Sequence, residues 1–134
     1  MANRIVHFEI YAEDIERAKT FYGSVFGWTF EDYSQYVNSA YWGVVTGKED
    51  EAGINGGMML RDKPVAAPGT SARAFVCTIV VDNYDATEKK LLEAGGTVMF
   101  GKHALPGMAW QGYYQDTEGN EFGIHQPDPK AGLA

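Results

Sequence analysis

The chain has 134 residues, 45% of them hydrophobic and 22% charged, with a formal charge of -7 and a pI near 4.8. That length suits one compact domain able to bury roughly two-thirds of its unfolded surface, and the balance of residue types excludes a disordered or fibrous chain. Clustered Lys and Arg are absent, which excludes nucleic acid as a partner; the acidity favours solubility and, weakly, a cationic ligand.

The opening MANRIVHFEI lacks the basic, apolar and small-residue regions of a signal peptide, and no apolar run approaches the roughly 20 residues of a membrane span. The expected location is cytoplasmic, away from membranes. Residues 4–11 then alternate, with Val6, Phe8 and Ile10 on one side and His7, Glu9 and Tyr11 on the other, which is the period of a strand. Asp14 is a good N-cap, Ile15, Ala18, Phe21, Tyr22, Val25 and Phe26 recur at helical spacing, and Gly27 supplies a stop.

Three further strands are expected at Thr29 to Phe30, Tyr41 to Thr46 and Ile54 to Leu60, separated by turn-rich pieces such as residues 47–53. RDKPVAAPGTSA, residues 61–72, reads as a linker. The order then repeats. A shift of 76 − 7 = 69 pairs His7 with Val76, Ile10 with Ile79, Asp14 with Asn83, Tyr22 with Leu91 and Gly27 with Gly96. Strands at Thr97 to Phe100, Trp110 to Gln115 and Glu121 to Gln126 complete a second βαβββ unit, with Asp116 to Asn120 as the last turn. Halves of about 65 residues bury little core alone, so they are expected to join as one domain: module 1 (4–60), the linker, module 2 (73–126) and a loose tail (127–134).

Cys77 is the sole cysteine, so no internal disulfide or thiolate zinc cluster forms within one chain, and a reducing compartment fits. Its phase on the strand predicts a buried, inert thiol. No Ser-His-Asp or Cys-His arrangement is readable.

The duplicated unit, with FYGSVFGW after the first strand and DTEGNEFGIHQ near the end, resembles the vicinal oxygen chelate superfamily, which includes glyoxalase I, extradiol dioxygenases, and the bleomycin and fosfomycin resistance proteins. The likeness runs over about residues 4–126 and is greatest to bacterial glyoxalase-related proteins. It implies an α+β fold in which two tandem βαβββ modules curve into a cup-shaped, partly open β-barrel with helices outside, and it implies a homodimer. Fold does not fix function.

The resemblance also implies where a metal would sit: on the first and fourth strands of each module. His7 matches one position, but its counterpart Val76 has no donor atom, and the fourth-strand positions fall on Gly56-Gly57-Met58 and on Gly123. A catalytic zinc, nickel, iron or manganese site needs about three protein ligands, so no cofactor is expected. The alternative is a divalent metal on a shifted set of His7, Glu121 and His125.

The expected ligand pocket is lined by His7, Glu9, Tyr11, Trp42, Val76, Thr78, Trp110, Glu121, Gly123 and His125. Trp42 and Trp110 read as corresponding positions of the two halves, and each aromatic residue is open to a plain core role. Met58 and Met59 offer an adaptable lining or core filling. His103, in GKHALPGM, reads as a loop residue able to reach the cup mouth or simply exposed.

The function these features point to is binding of a small apolar or aromatic molecule, with His7, Glu9 and His125 as proton-transfer candidates in an isomerase or lyase reaction beside a carbonyl. Alternatives are a non-catalytic drug-sequestering protein and a metalloenzyme, lyase or dioxygenase, with the shifted ligands. Glutathione is disfavoured, because its carboxylates call for basic residues and only Arg4, Arg61 and Lys102 are candidates.

Overall fold

A computed structural model of the chain describes residues 5–35, 40–61 and 76–134, and divides into two compact units, Met1–Val65 and Ala66–Ala134. The linker read at 61–72 lies, after Arg61, outside the described residues.

The first unit runs β1 (Glu9–Ala12), α1 (Ile15–Phe26), β2 (Thr29–Asp32), β3 (Tyr41–Val45) and β4 (Gly56–Leu60). Its sheet has the order β1-β4-β3-β2, with β1 parallel to β4 and the other pairs antiparallel. Asp14 caps α1 by accepting from the Arg17 amide at 3.0 Å, and Gly27 ends it at φ 74, where a side chain would be strained. Ala18, Phe21, Tyr22 and Val25 form the buried stripe, each large apolar side chain contributing about 1.5–3 kcal/mol by leaving water. The FYGSVFGW stretch thereby explains itself: the Tyr22 and Trp28 rings stack at 5.0 Å, and Phe8, just before β1, meets Trp28 at 6.0 Å.

The second unit repeats the plan with β5 (Cys77–Val80), α2 (Tyr84–Glu93), β6 (Thr97–Leu105), β7 (Ala109–Gln115) and β8 (Glu121–Pro127), in the order β5-β8-β7-β6. Asn83 caps α2 by accepting from Ala86 at 3.0 Å. The left-handed glycine after α2 is Gly95, φ 100, one residue before the Gly96 that the repeat aligned with Gly27. The core between α2 and its sheet is built on Tyr84, Leu91, Tyr114, Phe122 and Ile124. Each sheet is an open, four-stranded, mixed sheet, and the architecture is α+β. No helix among the described residues is long and apolar enough to cross a membrane.

Three expectations need correction. Strand β6 continues to Leu105, so His103 lies in a strand, paired with Gln111 and half-buried, rather than in a loop; register shifts between Val98 and Phe100 and between Phe100 and His103 hide the alternation. The tail is held, not loose: Asp128 donates its amide to the Met108 carbonyl, Gly107 donates to Ala131, and Ala131 is fully buried. Cys77 is exposed, because pairing opposite Phe122 at the start of an edge strand leaves it uncovered.

Candidate functional site

Register decides which side chains share a face. In the first unit Glu9 lies opposite Gly57 and Tyr11 opposite Met59, while β3 places Tyr41 opposite Met59 and Gly43 opposite Gly57. Side chains on this face therefore include Glu9, Tyr11, Tyr41 and, through the pairing of Glu31 with Gly43, Glu31. His7 precedes β1 and joins them. Two glycines leave room for the rings: a Cβ on Gly57 would stand 2.0 Å from the Tyr41 hydroxyl oxygen, and one on Gly43 would stand 2.5 Å from the Tyr33 ring.

The Tyr41 hydroxyl connects the row. It donates to Glu9 Oε2 at 3.2 Å and lies 3.1 Å from His7 Nε2, while Tyr11 donates to Glu9 Oε1 at 3.4 Å. Burial, and then the hydrogen bond to Glu9, raise the Tyr41 pKa, so Tyr41 stays a neutral phenol at ordinary pH. With its proton directed to Glu9, the phenol oxygen is left to accept from His7 Nε2 when that nitrogen carries a hydrogen. Beside the row, the Tyr33 hydroxyl donates to Glu31.

In the second unit Thr78 lies opposite Gly123, Val80 opposite His125, Gln111 opposite His125 and Tyr113 opposite Gly123. Gln111 is buried and its Oε1 lies 2.7 Å from His125 Nδ1; its Nε2 lies 3.5 Å from Thr78 Oγ1. Glu121 pairs with Gln115 on the same face. Val76 stands just before β5, half-buried.

The row of His7, Glu9 and Tyr11 is thus assembled as the alternation implied, and so is the group of Thr78, Glu121, Gly123 and His125. Trp42 and Trp110 are not part of these faces. Trp42 pairs with Met58 on the helix side, where Lys19 Nζ sits 3.8 Å from its ring centroid. Trp110 pairs with Gln126, donates to Asp128 Oδ2 at 3.1 Å and carries Lys102 Nζ 4.7 Å over its ring. Nor do the two correspond: Tyr41 and Gln111 hold equivalent register positions, which makes Gly112 the counterpart of Trp42.

Met58 is buried on the helix side and Met59 lies on the other face, one in the core as its type suggested. Lys102 is tied to Asp85 at 3.0 Å on the helix side, and Arg61 donates to the Tyr11 carbonyl at 3.0 Å; Arg4 lies outside the described residues. Tyr41 and Gln111 escaped the sequence reading. The usable signal was glycine inside a strand, at Gly57 and Gly123, since each marks a large neighbour leaning over it.

Among the described residues no three His, Cys, Asp or Glu side chains gather as a metal site. The donor set does not fit the arrangement expected from the resemblance, because the Tyr41 phenol fills the space over Gly57 and the Gln111 amide, with Thr78, fills that over Gly123. Glu121 and His125 stand four residues apart on one strand, about 13 Å at roughly 3.3 Å per residue.

Residues 4–40 match the family model for the bleomycin resistance protein-like N-terminal segment. No curated protein matches the chain. Solved structures do. The fosfomycin resistance protein FosX from Listeria monocytogenes, in a monoclinic form, is 15% identical with a TM-score of 0.70, covering 93% of this chain and 91% of that one. A glyoxalase/bleomycin resistance protein/dioxygenase family enzyme from Burkholderia phytofirmans PsJN is 22% identical with a TM-score of 0.66, covering 90% and 95%. FosX from Mesorhizobium loti is 16% identical with a TM-score of 0.66, covering 93% and 92%. With two mixed sheets built from repeated βαβββ units and a bleomycin resistance protein-like start, the chain has the fold of the vicinal oxygen chelate superfamily.

Proposed function

We propose that the chain is a single-domain, small-molecule-binding protein of this fold, working in the cytoplasm as a homodimer without the metal site the fold often carries. The observation that carries the reading is the Tyr41 hydroxyl between His7 Nε2 and Glu9 Oε2 on an open sheet face. A hydrogen-bonded phenol, imidazole and carboxylate bind and orient a ligand with one polar end, and the neighbouring tyrosine rings suit an aromatic or apolar body. If the bound molecule is a carbon acid beside a carbonyl, the candidates for taking and returning its proton, in an isomerase or lyase reaction, are His7 and Glu9 on the first unit or His125 on the second.

A sequestering role without turnover is the second reading. It is favoured by Glu9 and Glu31 among tyrosines in a chain of charge -7, a setting for a cationic aromatic drug.

Elemental analysis of untagged protein, before and after dialysis against nickel, zinc, manganese and iron(II), with His7→Ala alongside, tests the metal-free reading. Metal far below one per chain in every case is expected. Near-stoichiometric metal that His7→Ala loses would overturn it in favour of the His7, Glu121 and His125 set. A thermal-shift screen of aromatic and cationic compounds then seeks the ligand, and stoichiometric binding without turnover selects the second reading.

A further inference from the structure

We propose that Gln111 is a positioning residue that holds His125 as its Nδ1–H tautomer, so that Nε2 is the proton-accepting atom of the second unit. The inference rests on the reading of His125 as a proton-transfer group and adds which atom acts and what fixes it. Gln111 is 5% exposed, in the middle of β7, and its two amide ends are committed differently. The carbonyl oxygen lies 2.7 Å from His125 Nδ1 and the nitrogen 3.5 Å from Thr78 Oγ1. A carbonyl oxygen only accepts, so Nδ1 must carry the hydrogen, and a neutral ring then has its lone pair on Nε2.

The amide is confined as well as bonded. Gly123 lies beneath it, and a Cβ there would stand 2.8 Å from Gln111 Nε2, 2.9 Å from Thr78 Oγ1 and 3.1 Å from the Tyr113 ring. A side chain at position 123 would force the amide or its Thr78 partner to shift. The arrangement parallels the first unit, where Tyr41, at the register position equivalent to Gln111, leans over Gly57 and engages His7. When Nε2 takes a proton, the bond to the donor atom breaks, its electron pair stays on the ligand, and the imidazolium keeps its Nδ1–H bond to Gln111.

The test is the pair of ring nitrogen signals of His125 in the full-length, ¹⁵N-labelled protein, recorded where the ring is neutral and assigned with His125→Gln. A pyrrole-like Nδ1 beside a pyridine-like Nε2 is expected. Gln111→Glu, which keeps an acceptor, should retain that pattern, and Gln111→Leu should lose it in favour of the Nε2–H form. An Nε2–H pattern in the unsubstituted protein overturns the inference, as does an Nδ1–H pattern that survives Gln111→Leu. Should Gln111→Leu fail to fold, the unsubstituted protein and Gln111→Glu still decide. The signals need neither ligand nor turnover, so a failed search for activity would count against the proposed function and leave this tautomer assignment standing.

Discussion

Tyr41 occupies the space that a side chain at Gly57 would enter: a Cβ there would stand 2.0 Å from its hydroxyl oxygen and 2.4 Å from the ring carbon that bears it. Gly57→Ala is therefore expected to swing the ring off the sheet, break the link between His7 and Glu9, and cost about 1–3 kcal/mol as overpacking. Urea denaturation measures the cost. A change within the ±0.5 kcal/mol typical of surface substitutions would mean that Tyr41 does not rest there. Tyr41→Phe keeps the ring and should cost about 1 kcal/mol or less, while weakening whatever ligand the row orients.

On the helix side of the second unit, the Tyr84 and Tyr114 hydroxyls lie 2.7 Å apart and Tyr114 donates to Glu88 at 2.5 Å. Burial raises both tyrosine pKa values, and for Tyr114 the bonds to Glu88 and Tyr84 raise it further. The folded state thus keeps protons that the unfolded state releases near pH 10, so stability is complete below that pH and declines as pH rises above it. Tyr114→Phe should cost about 1.5–3 kcal/mol at pH 7 and make the alkaline decline shallower. Denaturation midpoints at pH 7, 9, 10 and 11 provide the check; an unchanged slope would remove Tyr114 from the effect.

Because Trp42 and Trp110 lie on the helix side, replacing either by Phe should leave ligand affinity unchanged. The expected loss is stability, about 0.5–1 kcal/mol for weakening the Lys19 or Lys102 contact, plus a hydrogen bond to Asp128 for Trp110. A tenfold loss of affinity from either change would return that tryptophan to the pocket.

Ending the chain after Pro127 removes the Asp128 bonds to Trp110 and Met108 and uncovers the buried site of Ala131. The shortened protein should unfold at least about 1 kcal/mol more easily. Equal stability would show the tail to be dispensable.

The helices and the two-fold repeat were legible because caps and stops are local chemistry: Asp14, Asn83 and Gly27 act on backbone groups within a turn of themselves. The polar face of β1 was legible because strict alternation fixes a phase within one strand. Phase between strands is not local. In Tyr41-Trp42-Gly43 two aromatic residues are adjacent, and only the pairing of Trp42 with Met58 says which faces the helix. The shifts in β6 likewise break the period from which His103 would have been placed, and the tail's ties come from residues 18 to 24 positions away.

The two capped glycines also constrain the order in which this sequence can change. A carboxylate or imidazole introduced at position 57 meets the Tyr41 ring, and one at position 123 meets Gln111, Thr78 and Tyr113. At position 57 the substitution is costly until Tyr41 has first become smaller, and the smaller neighbour has already lost its bond to His7; at position 123 it displaces the ends of the Gln111 and Thr78 side chains. Gaining a donor at position 57 therefore takes a pair of steps in a fixed order rather than a single one.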